Sequence, residues 1–269
     1  MLSFFSSFVQ NYPMVLIDTH CHIYLEEFDH DRAKVVSEAV QEGVNRIYMP
    51  AIDSDTHEKM LKIEAEFAGT CYAMMGLHPC SVKANWQVEL NIVQKHLEKR
   101  RFFALGEIGL DFYWDLTYKN EQLHVFRRQI DLALHYSIPI VIHSRNSIEE
   151  CIRVVAEYKE KNLQGIFHCF TGNLDQANRI FDLGFYLGIG GVVTFKNSGL
   201  DAVMANINVD GVVLETDAPY LAPVPFRGKR NECSYIKYVV QKLAEIKEIN
   251  VDEVAQVTTA NAEKLFGVS

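Results

Sequence analysis

Seven side chains that can hold a cation or carry a proton stand where short apolar runs end. They are His20 and His22 in VLIDTHCH, His78 in MMGLHP, Glu107 in FFALGEIGLD, His143 in IVIHSR, His168 in GIFHCF and Asp217 in VVLETDAP. Buried parallel strands read as near-continuous apolar runs. In α/β proteins the carboxyl ends of such strands carry the chemistry. Imidazoles and carboxylates gathered from several strand ends can hold divalent cations. The residues therefore point first to a metal-dependent hydrolase.

Each residue also has a plainer reading. His20 and His22 are two apart, which puts both rings on one side of a strand, but His-x-His alone also fits two surface or capping histidines. Asp18 is a further ligand or an acceptor that sets a histidine tautomer. Glu107 is costly to bury unless it meets cations or donors, a need that a bridging position between two cations meets. Asp111 supports that site or caps its loop. A lone His143 or His168 is more often a hydrogen-bonded structural residue; two of them ending consecutive runs weigh towards a site. Asp217 is the natural general base, with Glu215 on the same side orienting the site from below. His78, Arg145, Arg227, Lys229 and Arg230 fall in loops expected at the same face. Arg suits bidentate capture of phosphate or carboxylate, whereas Lys229 reads equally well as solvated charge. Histidines 30, 57, 96, 124 and 135 are assigned no role.

The elements needed to position these residues alternate along the chain. Strands are predicted near 15–19, 46–51, 71–77, 102–107, 139–143, 165–168, 185–189 and 211–215. Helices are predicted over 31–42, 55–68, 86–99, 118–136, 147–160 and 174–182, with a weaker one over 197–208 and two more near 232–246 and 251–266. In 118–136, Leu123, Phe126, Ile130 and Leu134 recur at the helical spacing. Eight βα units with right-handed crossovers favour a (β/α)8 TIM barrel with extra C-terminal helices. A doubly wound open sheet is the alternative. Residues 14–269 read as one domain, and residues 1–13 as an N-terminal extension.

Composition bounds the function. A hydrophobic content of 48% and a charged content of 23% are those of a soluble globular chain. A net charge of −9 argues against a broad, sequence-independent grip on duplex DNA. It leaves room for a phosphate substrate, because bound cations add charge that the sequence does not count. Six cysteines without a C-x-x-C read as buried free thiols in a reducing cytoplasm. The apolar leader has no Lys or Arg and is too short to span a bilayer.

Taken in order, DTHCH, GLHP, GEIGLDFYWD, IHSR, FHCFTG, YLGIGG and LETDAPYLAPVPFRGKRNE resemble the TatD family of metal-dependent deoxyribonucleases, within the amidohydrolase-like barrels. The resemblance runs from about Val15 to Phe266. It implies two divalent cations, one on His20, His22 and Asp217, the other on His143 and His168, with Glu107 bridging. It implies that His78 and Arg145 hold the substrate phosphate. It implies a DNA substrate, cleaved in the manner of a 3′–5′ exonuclease at ends or single strands. Mixed imidazole and carboxylate donors suit Zn, Mn, Ni or Fe and suit Mg less, while the family itself implies Mg or Mn. The family commonly continues Asn-Glu-Pro where this chain has Asn231-Glu232-Cys233, a departure that bears on the rigidity of the loop. Two other readings stay open: a carboxylic ester or amide hydrolase, such as a D-aminoacyl-tRNA deacylase, and a non-catalytic metal-binding protein.

Overall fold

The computed structural model describes residues 14–267, so the extension expected over 1–13 lies outside the described residues. The strands are β1 (Leu16–Asp18), β2 (Val44–Met49), β3 (Cys71–Ala73), β4 (Leu105–Asp111), β5 (Ile140–Arg145), β6 (Gly165–Phe167), β7 (Tyr186–Ile189) and β8 (Val212–Leu214). Between and after them lie α1 (Arg32–Gln41), α2 (Ser54–Glu66), α3 (Trp86–Lys99), α4 (Lys119–Tyr136), α5 (Ile148–Ala156), α6 (Leu174–Asp182), α7 (Leu200–Ala205), α8 (Ile236–Lys247) and α9 (Val251–Phe266). All strand pairs are parallel and neighbours in sequence.

The continuous ladders run β1–β3 and β4–β8. Short runs of contact bridge the two seams. Met75 pairs with Leu105 between β3 and β4, and Thr19 N–H donates to Leu214 O at 2.9 Å between β1 and β8. Every strand or its edge sends one side chain to a shared inner cluster: Ile17, Tyr48, Met74, Ala104, Val141, Ile166, Tyr186 and Val213. Eight strands can share one interior only as a (β/α)8 barrel. A larger apolar layer packs the outer strand faces against the helices.

Helix α9 closes the end of the barrel away from the predicted site. Ala262, Leu265 and Phe266 join the inner cluster, and the Phe266 ring stacks on Tyr48 with centroids 3.9 Å apart. The inner residues Val141, Ile166 and Val213 precede His143, His168 and Glu215 by two positions. By strand alternation they lie on the same side, one layer beneath.

Helix α4 shows why some polar residues are buried. Its buried stripe includes Gln122 and Gln129 beside Val125, Phe126, Ile130 and Ala133. Gln129 accepts from Leu77 N–H (2.8 Å) and donates to Leu77 O (3.0 Å). Gln122 accepts from Asp111 N–H at 2.9 Å. One helix thus fixes the backbone just before His78 and at Asp111.

The structure corrects several sequence expectations. Glu107 and His143 lie inside β4 and β5 and do not end them, because the β4–β5 ladder continues through Gly109–His143 to Asp111–Arg145. Strand β3 stops at Ala73, where its pairing with β4 dwindles to one bridge. Helix α5 ends at Ala156, and a separate 3-10 turn, Lys159–Lys161, follows. The weak segment 197–208 is helical only over Leu200–Ala205. Among the described residues, no helix is long and apolar enough to cross a membrane.

Because α9 plugs the barrel through Phe266, which is buried, Phe266→Ala should cost about 3–5 kcal/mol. Urea denaturation would read this as a lower midpoint at an unchanged slope. An unaltered midpoint would show that the plug contributes nothing to the barrel.

Candidate metal centre and cleft

Glu107 stands in the barrel interior, 2% exposed. Its two oxygens face different partners. Oε2 lies 3.2 Å from His20 Nε2 and 3.5 Å from His22 Nε2. Oε1 lies 2.8 Å from His143 Nδ1 and 3.1 Å from His168 Nε2. Asp217 Oδ1 joins the first set, 3.6 Å from His20 Nε2 and 3.7 Å from His22 Nε2. One carboxylate therefore separates two groups of donor atoms. The residues open onto a cleft of about 1010 Å³, lined among others by His22, His78, Glu107, His143, His168 and Asp217. His20 is fully buried behind them, its ring stacked on His168 at 3.8 Å.

Neighbouring groups fix which nitrogen is free in three of the rings. Tyr24 Oη–H donates to Pro50 O at 2.7 Å. Its oxygen must then accept from His22 Nδ1–H at 3.0 Å, which leaves the His22 Nε2 lone pair facing the cleft. Asp111 Oδ2 accepts from His143 Nε2 at 2.8 Å, turning His143 Nδ1 towards Glu107. His78 is the opposite case. Its Nδ1 accepts from Cys80 N–H at 3.0 Å, so its Nε2 carries the hydrogen and makes it a donor rather than a ligand, although it lies within reach of Glu107 and His143.

The electrostatics follow from burial and contact. Burial opposes charge on Glu107, but the imidazoles of His168, His78 and His20 and the His143 hydrogen bond hold its carboxyl well below the usual range. Burial also opposes protonation of His168, yet Glu107 and Glu215 outweigh it and raise its pKa well above the ordinary value. Burial and the neighbouring His168 keep His20 well below its ordinary value. Burial pushes Asp217 up to about 6, against the pull of His168 and His22. A buried anion among imidazoles, with protons held between them, is a donor set that fits divalent cations.

Residues left open by the sequence find distinct places. Asp18 does not reach the cleft. Its oxygens accept from Thr216 N–H (3.0 Å), Thr216 Oγ1 (2.6 Å) and His20 N–H (3.3 Å), so it ties β1 to the segment after β8. Burial pushes its carboxyl up to about 8. Glu215 Oε1 accepts from Cys169 N–H at 2.6 Å and lies 3.4 Å from His168 Nδ1. Gly188 makes room for it, because a Cβ there would run into the Glu215 carboxylate. Asp217 adopts a left-handed backbone with φ 56°, held by its N–H donating to His20 O at 2.9 Å. Arg145, Arg227 and Lys229 line the cleft. Arg230 does not, being paired with Asp31 (2.7 Å) and Glu232 (3.0 Å). The loop that lacks the expected proline is anchored by Asn231 Nδ2, which donates to Thr216 O and Tyr220 O at 2.7 Å each. Cys233 Sγ packs 3.2 Å from Cys21 Sγ. The sequence reading missed Tyr24, although its place two residues after His22 continues the His-x-His alternation.

Four similarities to known proteins bear on this centre. The profile of the TatD related DNases matches residues 17–267. The metal-dependent hydrolase YabD of Bacillus subtilis is 39% identical over 256 residues, spanning 95% of this chain and all of YabD. The 3′-5′ ssDNA/RNA exonuclease TatD of Pantoea ananatis is 29% identical over 260 residues, spanning 94% of this chain and all of that enzyme. The crystal structure of the TatD homologue YjjV from Escherichia coli superposes with a TM-score of 0.90 at 32% identity, covering 96% of this chain and all of YjjV.

Two outcomes follow from the tautomers and the protons. Tyr24→Phe removes the acceptor for His22 Nδ1–H and should weaken Mn or Zn binding about 10–100-fold. Competition with a chromophoric chelator measures it; equal affinity would show that Tyr24 does not set the ring. Cation affinity should also fall with pH. Below about pH 6 Asp217 gains a proton, and His168 already holds one, so a cation must displace both. Each further pH unit downward should cost about tenfold from Asp217 alone. An affinity flat between pH 5 and 7.5 would remove both residues from the ligand set.

Proposed function

We propose that this chain, which belongs to the family of TatD-related DNases and is a metal-dependent hydrolase, cleaves the phosphodiester bonds of DNA, working from 3′ ends or single strands. The observation that carries the reading is Glu107, whose two oxygens face separate donor sets. On this reading His20, His22 and Asp217 would hold one divalent cation, His143 and His168 would hold the other, and Glu107 would serve both. Bound there, two cations would polarise the phosphoryl oxygen, lower the pKa of water and stabilise the leaving oxygen.

The protein's own residues supply the rest. Asp217 accepts the proton of the attacking water, as a carboxylate on the cleft wall beside His20 and His22 can. His78 offers Nε2–H from the wall of the cleft to a phosphate oxygen. Arg145 and Arg227, both exposed on the cleft rim, provide planar donors for the neighbouring phosphates. Asp111 and Tyr24 fix the imidazoles before substrate arrives. The exonuclease direction is supported by the Pantoea relative, a 3′-5′ ssDNA/RNA exonuclease.

The test is a side-by-side incubation of the Mn-loaded protein with 3′- and 5′-labelled single- and double-stranded DNA and with a D-aminoacyl-tRNA. Stepwise loss of the 3′ label, abolished by chelation, is expected. Deacylation without DNA cleavage would replace the reading with ester hydrolysis. In the same assay Asp217→Asn should lower kcat by at least ~10²-fold, with metal content measured alongside. Full activity at full occupancy would remove Asp217 as the base.

A further inference from the structure

The loop after β4 places two large aromatic rings at the mouth of the cleft. Trp114 is 67% exposed and Tyr113 52%. Water-exposed rings of this size, side by side at the edge of a concave site, mark a surface that something covers. They are not free to wander. Asp111 Oδ1 accepts from Tyr113 N–H (2.9 Å) and Trp114 N–H (3.1 Å), so the carboxylate that orients His143 also fixes the loop. The β4–β5 register sets Asp111 against Arg145. The Arg145 guanidinium lies 4.1 Å from the Tyr113 ring centroid and 5.1 Å from that of Trp114. The two rings meet edge to face at 4.8 Å, and both Trp114 and Arg145 line the cleft.

We propose that Trp114 is a stacking platform for an unpaired base of the strand being cleaved, with Tyr113 and Arg145 holding it in place. The proposal rests on the phosphodiesterase reading and names the form of nucleic acid that the site takes. A ligand that uses this rim must carry a flat π-face close to an anion, because the indole adjoins a guanidinium on the wall of the cleft. A nucleotide has both. A duplex end does not offer an unpaired base without fraying, whereas a single strand offers one at each step. The net charge of −9 removes the broad electrostatic grip that most nucleic-acid proteins use, so local stacking has to supply affinity. Base–aromatic stacking tolerates every base, which suits an enzyme that must advance along any sequence.

The chain has two tryptophans, so Trp86→Phe leaves Trp114 as the only tryptophan emitter. In that background, on the Zn-loaded protein, a short single-stranded oligothymidylate with cleavage-resistant phosphorothioate linkages should quench the emission. A strand of equal length with abasic residues should quench much less. In steady state on the cation-loaded enzyme, Trp114→Ala should raise KM for single-stranded DNA roughly 10-fold or more, with Trp114→Phe recovering most of it. That penalty should shrink on a strand abasic at its 3′ end, because mutation and abasic substrate remove the same contact. Equal quenching by both strands, or an unchanged KM for Trp114→Ala, would overturn the platform. Failure of the wild-type enzyme to cleave any strand would fall instead on the phosphodiesterase reading, and the quenching titration would still decide the platform.

Discussion

An ionised carboxylate cannot remain in a barrel interior unless charge or donors meet it there, and Glu107 sits there beside five imidazoles. His20, His22, His78, His143 and His168 all place a ring nitrogen within 3.5 Å of it. The surrounding structure serves that one group. The barrel brings strands distant in sequence to a common axis: two of the imidazoles follow β1, one follows β3, one lies in β5 and one follows β6. Beside that anion both His143 and His168 are held above their ordinary pKa despite burial, His143 also by Asp111 and His168 also by Glu215. Cations can take over those places because the charge balance around Glu107 already calls for them.

A second layer makes the first usable. An imidazole is a ligand only through a nitrogen without a hydrogen, and four contacts outside the cleft decide which nitrogen that is. Tyr24 assigns His22, Asp111 assigns His143, and Glu215 approaches Nδ1 of His168. The backbone of Cys80 assigns His78 the other way. Histidines of one residue type are thereby divided into candidate ligands and a candidate donor. The division rests on hydrogen bonds of 2.8–3.0 Å rather than on position in the sequence.

Asp111 links the centre to its rim. It orients His143 on one side and caps the aromatic loop on the other, while Gln122 of α4 holds its own backbone. A change in that loop would be felt at the candidate metal centre through one carboxylate. Far from the cleft, α9 fills the opposite mouth of the barrel with Leu265 and Phe266. The working end of the barrel is polar and open, and the other end is sealed by packing.

The sequence by itself determined the alternation of apolar runs and amphipathic helices, and with it eight parallel strands and the barrel. It also marked His20, His22, Glu107, His143, His168 and Asp217, because an ionisable residue in an apolar run is costly and therefore conspicuous. Strand limits were less legible. Glu107 and His143 looked like ends because an ionisable side chain interrupts each apolar run, yet the β4–β5 ladder runs on to Asp111 and Arg145. Only the tertiary structure decided the roles of Asp18, Asp111, Glu215 and Tyr24. Each acts through a partner on another segment: Asp18 through Thr216, Tyr24 through Pro50, Asp111 through His143, Glu215 through Cys169. A hydrogen bond depends on distances of a few tenths of an ångström between atoms far apart in the chain. Residue type and spacing carry the cost of burying a group; they do not carry which partner meets it.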